Sequence, residues 1–398
     1  MSLQAPADVR SAFPVLAGND IAYLDSAATS QTPSVVIDAI VDYYETARAS
    51  VHRGVYPLAA DSTARFEGAR QRIAAFLNWP AQDTVFTRNA TEALNLVAHG
   101  LRLGPDDVVV LSEMEHHSNL VPWQMTGAQL RWLSVDGEGR IDLAQLEDYL
   151  EAGDVSVVTL THVSNVLGTI NPVAEAAALA RKYEAVSVVD GSQAIPQLPV
   201  DVGAVDADFY AWTGHKAYGP TGVGVLHGRH QALVELEPLL GGGHMIARVT
   251  RERSKWGEVP MKFEAGTSPI AEAIGLGAAV DWIGTVGIDN IRAHELEITA
   301  YALERLGAVE GLTLHGPPSA EDRGAVVSFA VDFAHPHDVS EILGTRGVCV
   351  RAGHHCAQVL MDVLGVPATT RASFAVHSSL DEVDRLVEGI EAVRKVFA

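Results

Sequence analysis

Asp208-Phe209-Tyr210-Ala211-Trp212-Thr213-Gly214-His215-Lys216-Ala217-Tyr218-Gly219-Pro220-Thr221-Gly222-Val223-Gly224 is the stretch that decides the fold. An apolar run that suits a buried strand stops at Trp212. The polar group Gly214-His215-Lys216 comes next, and a glycine-rich turn leads to a second apolar run over residues 223–226. In open α/β sheets ligands bind where strands end, so Lys216 stands at a site-forming position. The chain has five lysines. Lys182, Lys255, Lys262 and Lys395 are expected on solvated helices and loops. A lysine held against apolar walls loses ammonium hydration, its pKa falls, and a neutral amine becomes available to condense with an aldehyde. By itself the segment also fits a surface lysine in a turn.

Outward from this stretch, short β-branched runs alternate with helical periodicity. Residues 85–87, 107–111, 155–160, 186–189 and 223–226 have the character of strands, which argues for a parallel sheet covered on both faces. Leu94, Val97, Ala98 and Leu101 recur at helical spacing and predict a helix over 91–101. Val383, Leu386, Val387 and Ile390 do the same near the C-terminus, behind a Ser379-x-x-Glu382 capping box. From about residue 284 the chain mixes helices with short strands such as 325–330, predicting a separate α+β unit. The expected division is a large domain over 21–283 and a small domain from 1–20 and 284–398.

Polar residues stand at the end of each expected strand. Asp190-Gly191-Ser192-Gln193 comes after 186–189, Glu115-His116-His117-Ser118-Asn119 after 107–111, and His162 and Ser164-Asn165 after 155–160. Asn89-Ala90-Thr91-Glu92 comes after 85–87 and opens a helix, so its N–H groups and the Thr91 hydroxyl form either an anion site or an ordinary N-cap. Asp190 is either a turn residue or a carboxylate facing a cofactor ring nitrogen. His116 is a candidate for stacking or acid–base work with His117 pointing away, although a His-His pair is equally a structural one. A second cluster, Arg351-Ala352-Gly353-His354-His355-Cys356-Ala357, precedes Arg371. Adjacent imidazoles and arginines favour a thiolate at Cys356. A zinc site is disfavoured, because adjacent side chains seldom converge on one ion and no CxxC or HxxxH spacing supplies more ligands. Cys349, between Val348 and Val350, is expected to be small core filler.

The chain has 398 residues, 47% apolar, with a formal charge of -22. That charge argues against nucleic acid, whose phosphates need clustered Lys and Arg. No apolar run approaches the ~18 residues of a spanning helix, so neither membrane insertion nor export is expected, and two cysteines suit a reducing cytoplasm.

Taken together these motifs resemble the fold-type I, class V pyridoxal-phosphate enzymes, and within them the group II cysteine desulfurases of the SUF iron–sulfur assembly pathway. Tyr23-Leu24-Asp25-Ser26-Ala27-Ala28, His52-Arg53-Gly54, Asn89-Ala90-Thr91-Glu92, Glu115-His116-His117-Ser118-Asn119, Ser164-Asn165-Val166-Leu167-Gly168, Asp190-Gly191-Ser192-Gln193, Thr213-Gly214-His215-Lys216, Glu264-Ala265-Gly266-Thr267 and Arg351-x-Gly-His-His-Cys356-Ala occur in order. The resemblance implies an α/β fold with a mostly parallel central sheet and a smaller α+β C-terminal domain. It implies that Lys216 binds pyridoxal 5'-phosphate covalently and moves the substrate Cα proton, that His116 stacks on the ring, that Asp190 pairs with the ring nitrogen and that Gln193 contacts the phenolic oxygen. Ala90, Thr91, Thr213 and His215 would hold the phosphate, with Thr267 reaching it from the other subunit of a homodimer. Arg371 and Asn165 would fix the carboxylate of L-cysteine, with Arg351, His52 and Ala27 as further substrate contacts. Cys356 would take the sulfur as a persulfide for a SUF acceptor protein. Val359 stands where the family pattern often has Pro, which is expected to loosen the Cys356 loop, and His244 also departs from the pattern. A selenocysteine lyase or other C–S lyase, a class V aminotransferase and a non-catalytic sulfur-trafficking scaffold are the alternatives. The last two have no use for the thiol and for the Lys216–Asp190 pair, respectively.

Overall fold

The computed structural model describes residues 9–397. Residues 1–8 of the expected small domain lie outside them. Strands β1 (Thr84–Thr87), β2 (Val108–Ser112), β3 (Gln129–Leu133), β4 (Val155–Thr161), β5 (Val186–Asp190), β6 (Phe209–Thr213) and β7 (Gly224–Gly228) form one sheet in the order β1-β7-β6-β5-β4-β2-β3. The five strands from β6 to β3 are parallel, while β7 runs antiparallel to both β6 and β1. The return after Lys216 is therefore a reversal. Residues 214–223 hold only a 3-10 turn, and a parallel crossover needs about a dozen residues or more. Edge strand β3 escapes the hydrophobic pattern because Gln129 and Arg131 interrupt it.

The central strands are apolar on both faces, and alternate residues enter different cores. Phe209 and Ala211 pack with Leu94, Val97 and Trp123, whereas Tyr210 and Trp212 join Ala176, Ala180 and Ile73. Each fully buried large apolar side chain contributes about 1.5–3 kcal/mol over its exposed state. The helix expected at 91–101 spans Ala90–Gly100, starting where Asn89 accepts a hydrogen bond from the Glu92 N–H.

The C-terminal part forms a second sheet from β8 (Leu312–His315), β9 (Val326–Val331), β10 (Arg351–Gly353) and β11 (Thr369–Ser373), antiparallel in the order β8-β9-β11-β10. Helices Ile288–Gly307, Pro336–Thr345 and Leu380–Phe397 supply Leu306, Leu343 and Leu386 to its core. The capping box is formed: the Ser379 N–H donates to Glu382 Oε2 at 3.0 Å and the Glu382 N–H to Ser379 Oγ at 3.4 Å. Ala22–Tyr23 pairs with Val348–Cys349, so Ala22 and Leu24 pack in this smaller core although their sequence position precedes the large sheet. Cys349 is half-buried, contrary to the expected core position, because a two-residue edge ladder leaves one face of it uncovered. Among the described residues no single helix is long and apolar enough to cross a membrane; the bent pair Ile270–Val286 and Ile288–Gly307 passes only jointly, and its apolar residues fill the two cores.

Candidate active site

Because β1, β2, β4, β5 and β6 share a direction, their C-terminal ends open on one edge of the sheet. The small domain closes that edge, leaving a cavity of about 200 Å³. Ala27, Ala90, Thr91, His116, Asn165, Asp190, Gln193, Thr213, His215, Lys216, Arg351, Cys356 and Arg371 all line it. His52 and Thr267 do not. His52 Nε2 is 2.9 Å from Glu67 Oε1 and its ring stacks on His244 at 5.0 Å, whereas Thr267 is exposed in a separate depression beside Tyr44 and Arg48. Of the other lysines, Lys262 is buried rather than solvated: its Nζ donates to the Val234 carbonyl at 2.7 Å, a backbone partner 28 residues away that the sequence does not reveal.

Burial pulls the Lys216 ammonium down to about 8, against the opposing attraction of Asp190. A substantial fraction of neutral amine is thus present near neutrality. Asp190 closes β5 and accepts the Ser192 N–H through Oδ1 at 3.0 Å. His116 accepts the Ser118 N–H at Nδ1 (3.1 Å), so its neutral ring carries the proton on Nε2. Burial and the neighbouring Lys216 push it down to about 3. The ring is a neutral face and donor, which favours stacking over proton shuttling. Gln193 Nε2 donates to the Ala27 carbonyl at 2.7 Å and ties the N-terminal segment to the site.

One end of the cavity suits a phosphate. The helix Ala90–Gly100 opens there, and N–H groups and dipole at a helix start favour anions. Asn89 performs the capping, which leaves the Thr91 hydroxyl free to meet Ser118 Oγ at 2.7 Å. Thr213 Oγ1 is buried without a partner among the described residues, an acceptor or donor open to a group of this kind. Gly224 lets the backbones close: a Cβ there would lie 2.5 Å from Asn89 Cα. Burial, with Lys216 next to it, lowers His215 to about 4, leaving it neutral. Pyridoxal phosphate fits these groups, since an amine (Lys216) and a carboxylate (Asp190) line the same cavity as the anion-favouring helix start.

The other end belongs to the small domain. Arg371 is buried, with Nη1 donating to the Asn165 carbonyl at 2.9 Å and Nη2 to Asp25 Oδ1 at 3.1 Å, while Nε has no partner among the described residues. Asn165 Nδ2 donates to the His355 carbonyl at 2.7 Å, which leaves its second N–H available. Cys356 comes next along the loop, half-buried and facing the cavity. Burial lowers His355 to about 3, so that imidazole is neutral, and the cationic neighbours of the thiol are Arg351, Arg371 and Lys216. Among the described residues no group of three His, Cys, Asp or Glu could hold a metal ion.

Asp25, Glu115, Ser118 and His355 stand within the motifs, yet sequence alone assigns them no task. Asp25 anchors Arg371. Glu115, buried beneath His116 and raised to about 7 by desolvation, accepts from the Thr161 N–H and Asn119 Nδ2. Membership of a motif is the only local signal for these residues, since most of their partners are remote in sequence.

The aminotransferase class-V family model matches residues 22–386. The chain belongs to this family. This class V protein is 48% identical to a probable cysteine desulfurase of Streptomyces coelicolor, with 98% of this chain and 97% of that one covered. It is 46% identical to a cysteine desulfurase of Haloferax volcanii over 98% and 97% of the two chains. Its structure resembles that of a cysteine desulfurase from Thermococcus onnurineus, with a TM-score of 0.95, 39% identity and 99% of each chain covered.

Proposed function

We propose that this class V protein is a pyridoxal-phosphate-dependent cysteine desulfurase, in which L-cysteine and the Cys356 thiol give L-alanine and a Cys356 persulfide. The observation that carries the reading is that Lys216, Arg371 and Cys356 line one cavity, although two domains supply them. The full-length relatives named cysteine desulfurase support it. When bound, pyridoxal phosphate supplies an electrophilic carbon for the substrate amine and a ring that withdraws electrons from Cα. Lys216 would hold the cofactor at rest, and its amine would take the Cα proton of the bound substrate. Arg371 and the second N–H of Asn165 would orient the carboxylate, Asp190 would pair with the ring nitrogen, and His116 would cover the ring. The Cys356 thiolate attacks the substrate sulfur: an S–S bond forms, the C–S bond breaks, the electron pair left on Cβ takes up the proton given up by the substrate thiol, and Lys216 returns the proton to Cα, giving alanine and the Cys356 persulfide.

The persulfide passes by thiol exchange to a sulfur-acceptor protein of the SUF pathway, in the cytoplasm. The working form is a homodimer in which Thr267 completes the partner's phosphate site. Support for the dimer lies in the exposure of Val35, Val41, Tyr44, Val55 and Tyr56, with Tyr44 and Thr267 in one depression. Cys356→Ser provides the test of the reaction: it should bind cysteine with wild-type spectral change and release neither alanine nor sulfide. Full alanine production by this variant would overturn the role of Cys356 and favour a lyase that expels sulfur unaided.

A further inference from the structure

His117 stands next to the ring-covering His116 but faces away from the cavity, toward the segment that carries Cys356. Two hydrogen bonds join them. The His117 N–H donates to the Cys356 carbonyl at 2.7 Å, and His117 Nε2 accepts the Gln358 N–H at 3.1 Å. Gln358 opens the helix Gln358–Leu364, whose Ala357 N-cap makes no side-chain bond, so the imidazole satisfies a first-turn donor in place of a cap. Immediately before these bonds the chain is held in an unfavourable shape: His355 has φ +52° and Cys356 φ +58°, a left-handed conformation that non-glycine residues adopt only when neighbours impose it. Asn165, through the His355 carbonyl, supplies the remaining restraint from the large domain.

We propose that His117 is the positioning residue for Cys356: its neutral ring and main-chain N–H latch the strained loop so that the thiol faces the substrate, and protonation of the ring opens the latch. An imidazole that accepts at Nε2 carries its proton on Nδ1; the imidazolium has no lone pair for Gln358 and sets a positive charge against a helix start. Burial disfavours a charge on His117, His354 on the loop acts in the same direction, and the His116 ring lies 6.4 Å away. Glu92, on the helix packed against this turn, is engaged by Arg88, and Asp362 is exposed one turn along the latched helix. The latch is closed in the neutral range and opens on acidification. It also offsets the Val359 departure, since the loop is restrained from the large domain rather than by a proline.

The inference rests on the reading of Cys356 as sulfur acceptor, and two measurements on the full-length holoenzyme separate them. Hydrogen exchange of peptides covering residues 354–364, corrected for intrinsic rates, reads the latch without turnover. At about pH 8, His117→Ala should exchange about tenfold faster than wild type, and His117→Gln, whose amide oxygen still accepts from Gln358, within about twofold of it. At about pH 5 wild type should loosen while His117→Gln does not, because an amide does not titrate in this range. Alanine formation by His117→Ala should fall in kcat with KM for cysteine unchanged. Unaltered exchange in His117→Ala, or an equal pH response in His117→Gln, overturns the latch. Faster exchange with wild-type alanine formation overturns the role given to Cys356 instead.

Discussion

Lys216 is half-buried in the cavity wall, and desolvation holds its ammonium down at about 8, below the ordinary lysine value above 10. Covalent capture of pyridoxal phosphate by the apo-protein should therefore rise with pH, about tenfold per unit below 8, and level off above it. Stopped-flow absorbance checks this, and a climb continuing past pH 10 would show an ordinary lysine. Borohydride reduction and peptide mapping should then place the cofactor on Lys216. Arg371 is the second residue whose environment sets its use. Burial disfavours its charge and Asp25 offsets this in part, while the bonds to Asp25 and the Asn165 carbonyl fix the guanidinium before substrate arrives. Arg371→Ala should raise KM for cysteine by about tenfold to a hundredfold, the loss of hydrogen bonds to a charged group, with the cofactor spectrum unchanged. Steady-state kinetics beside spectra decide it, and loss of the spectrum would make Arg371 structural. Lys216 and Asp190 are legible in the sequence because each closes an apolar run. Asp25 is not, because its partner lies 346 residues away.

At the scale of elements, the phosphate cradle depends on two backbones that nearly touch. β7 enters the sheet between β1 and β6, with Gly224 opposite both Thr87 and Thr213. A methyl group at Gly224 would meet Asn89 Cα at 2.5 Å and the Ala90 nitrogen at 2.9 Å, and no flexible side chain can yield there. Gly224→Ala should cost about 1–3 kcal/mol of stability and weaken cofactor binding, since the helix start must move. Thermal unfolding with and without cofactor measures both; an unchanged pair would show that the helix start takes no part in the cradle. In the sequence this glycine reads as part of the strand expected over 223–226, with no sign of the backbone it must approach. Its real constraint comes from an antiparallel neighbour far upstream, and that pairing depends on β7 reversing direction.

For the whole molecule, the cavity is a junction: five strand ends supply one wall and the cysteine loop with β11 the other. Two predicted site residues, His52 and Thr267, lie outside it, and Thr267 shares a depression with the exposed Tyr44. A homodimer is expected by light scattering, and in mixed dimers Thr267→Ala should impair the active site of the opposite subunit. A cofactor-loaded, fully active monomer would refute this. With a formal charge of -22, identical chains repel one another at long range. Burial of apolar surface, not charge attraction, must therefore hold such a pair together.

The sequence by itself determined the alternation of strands and helices, the residues that end each strand, and the family, because local apolar periodicity and short motifs are properties of neighbouring positions. The tertiary structure decided the rest. It reversed β7, buried Lys262 against backbone carbonyls, left Cys349 half-exposed, paired Asp25 with Arg371 and brought the His117 ring to the helix just beyond Cys356. Each of these joins segments from distant parts of the chain or depends on which face a neighbour covers, and no local pattern encodes which polar groups will satisfy one another once two domains close.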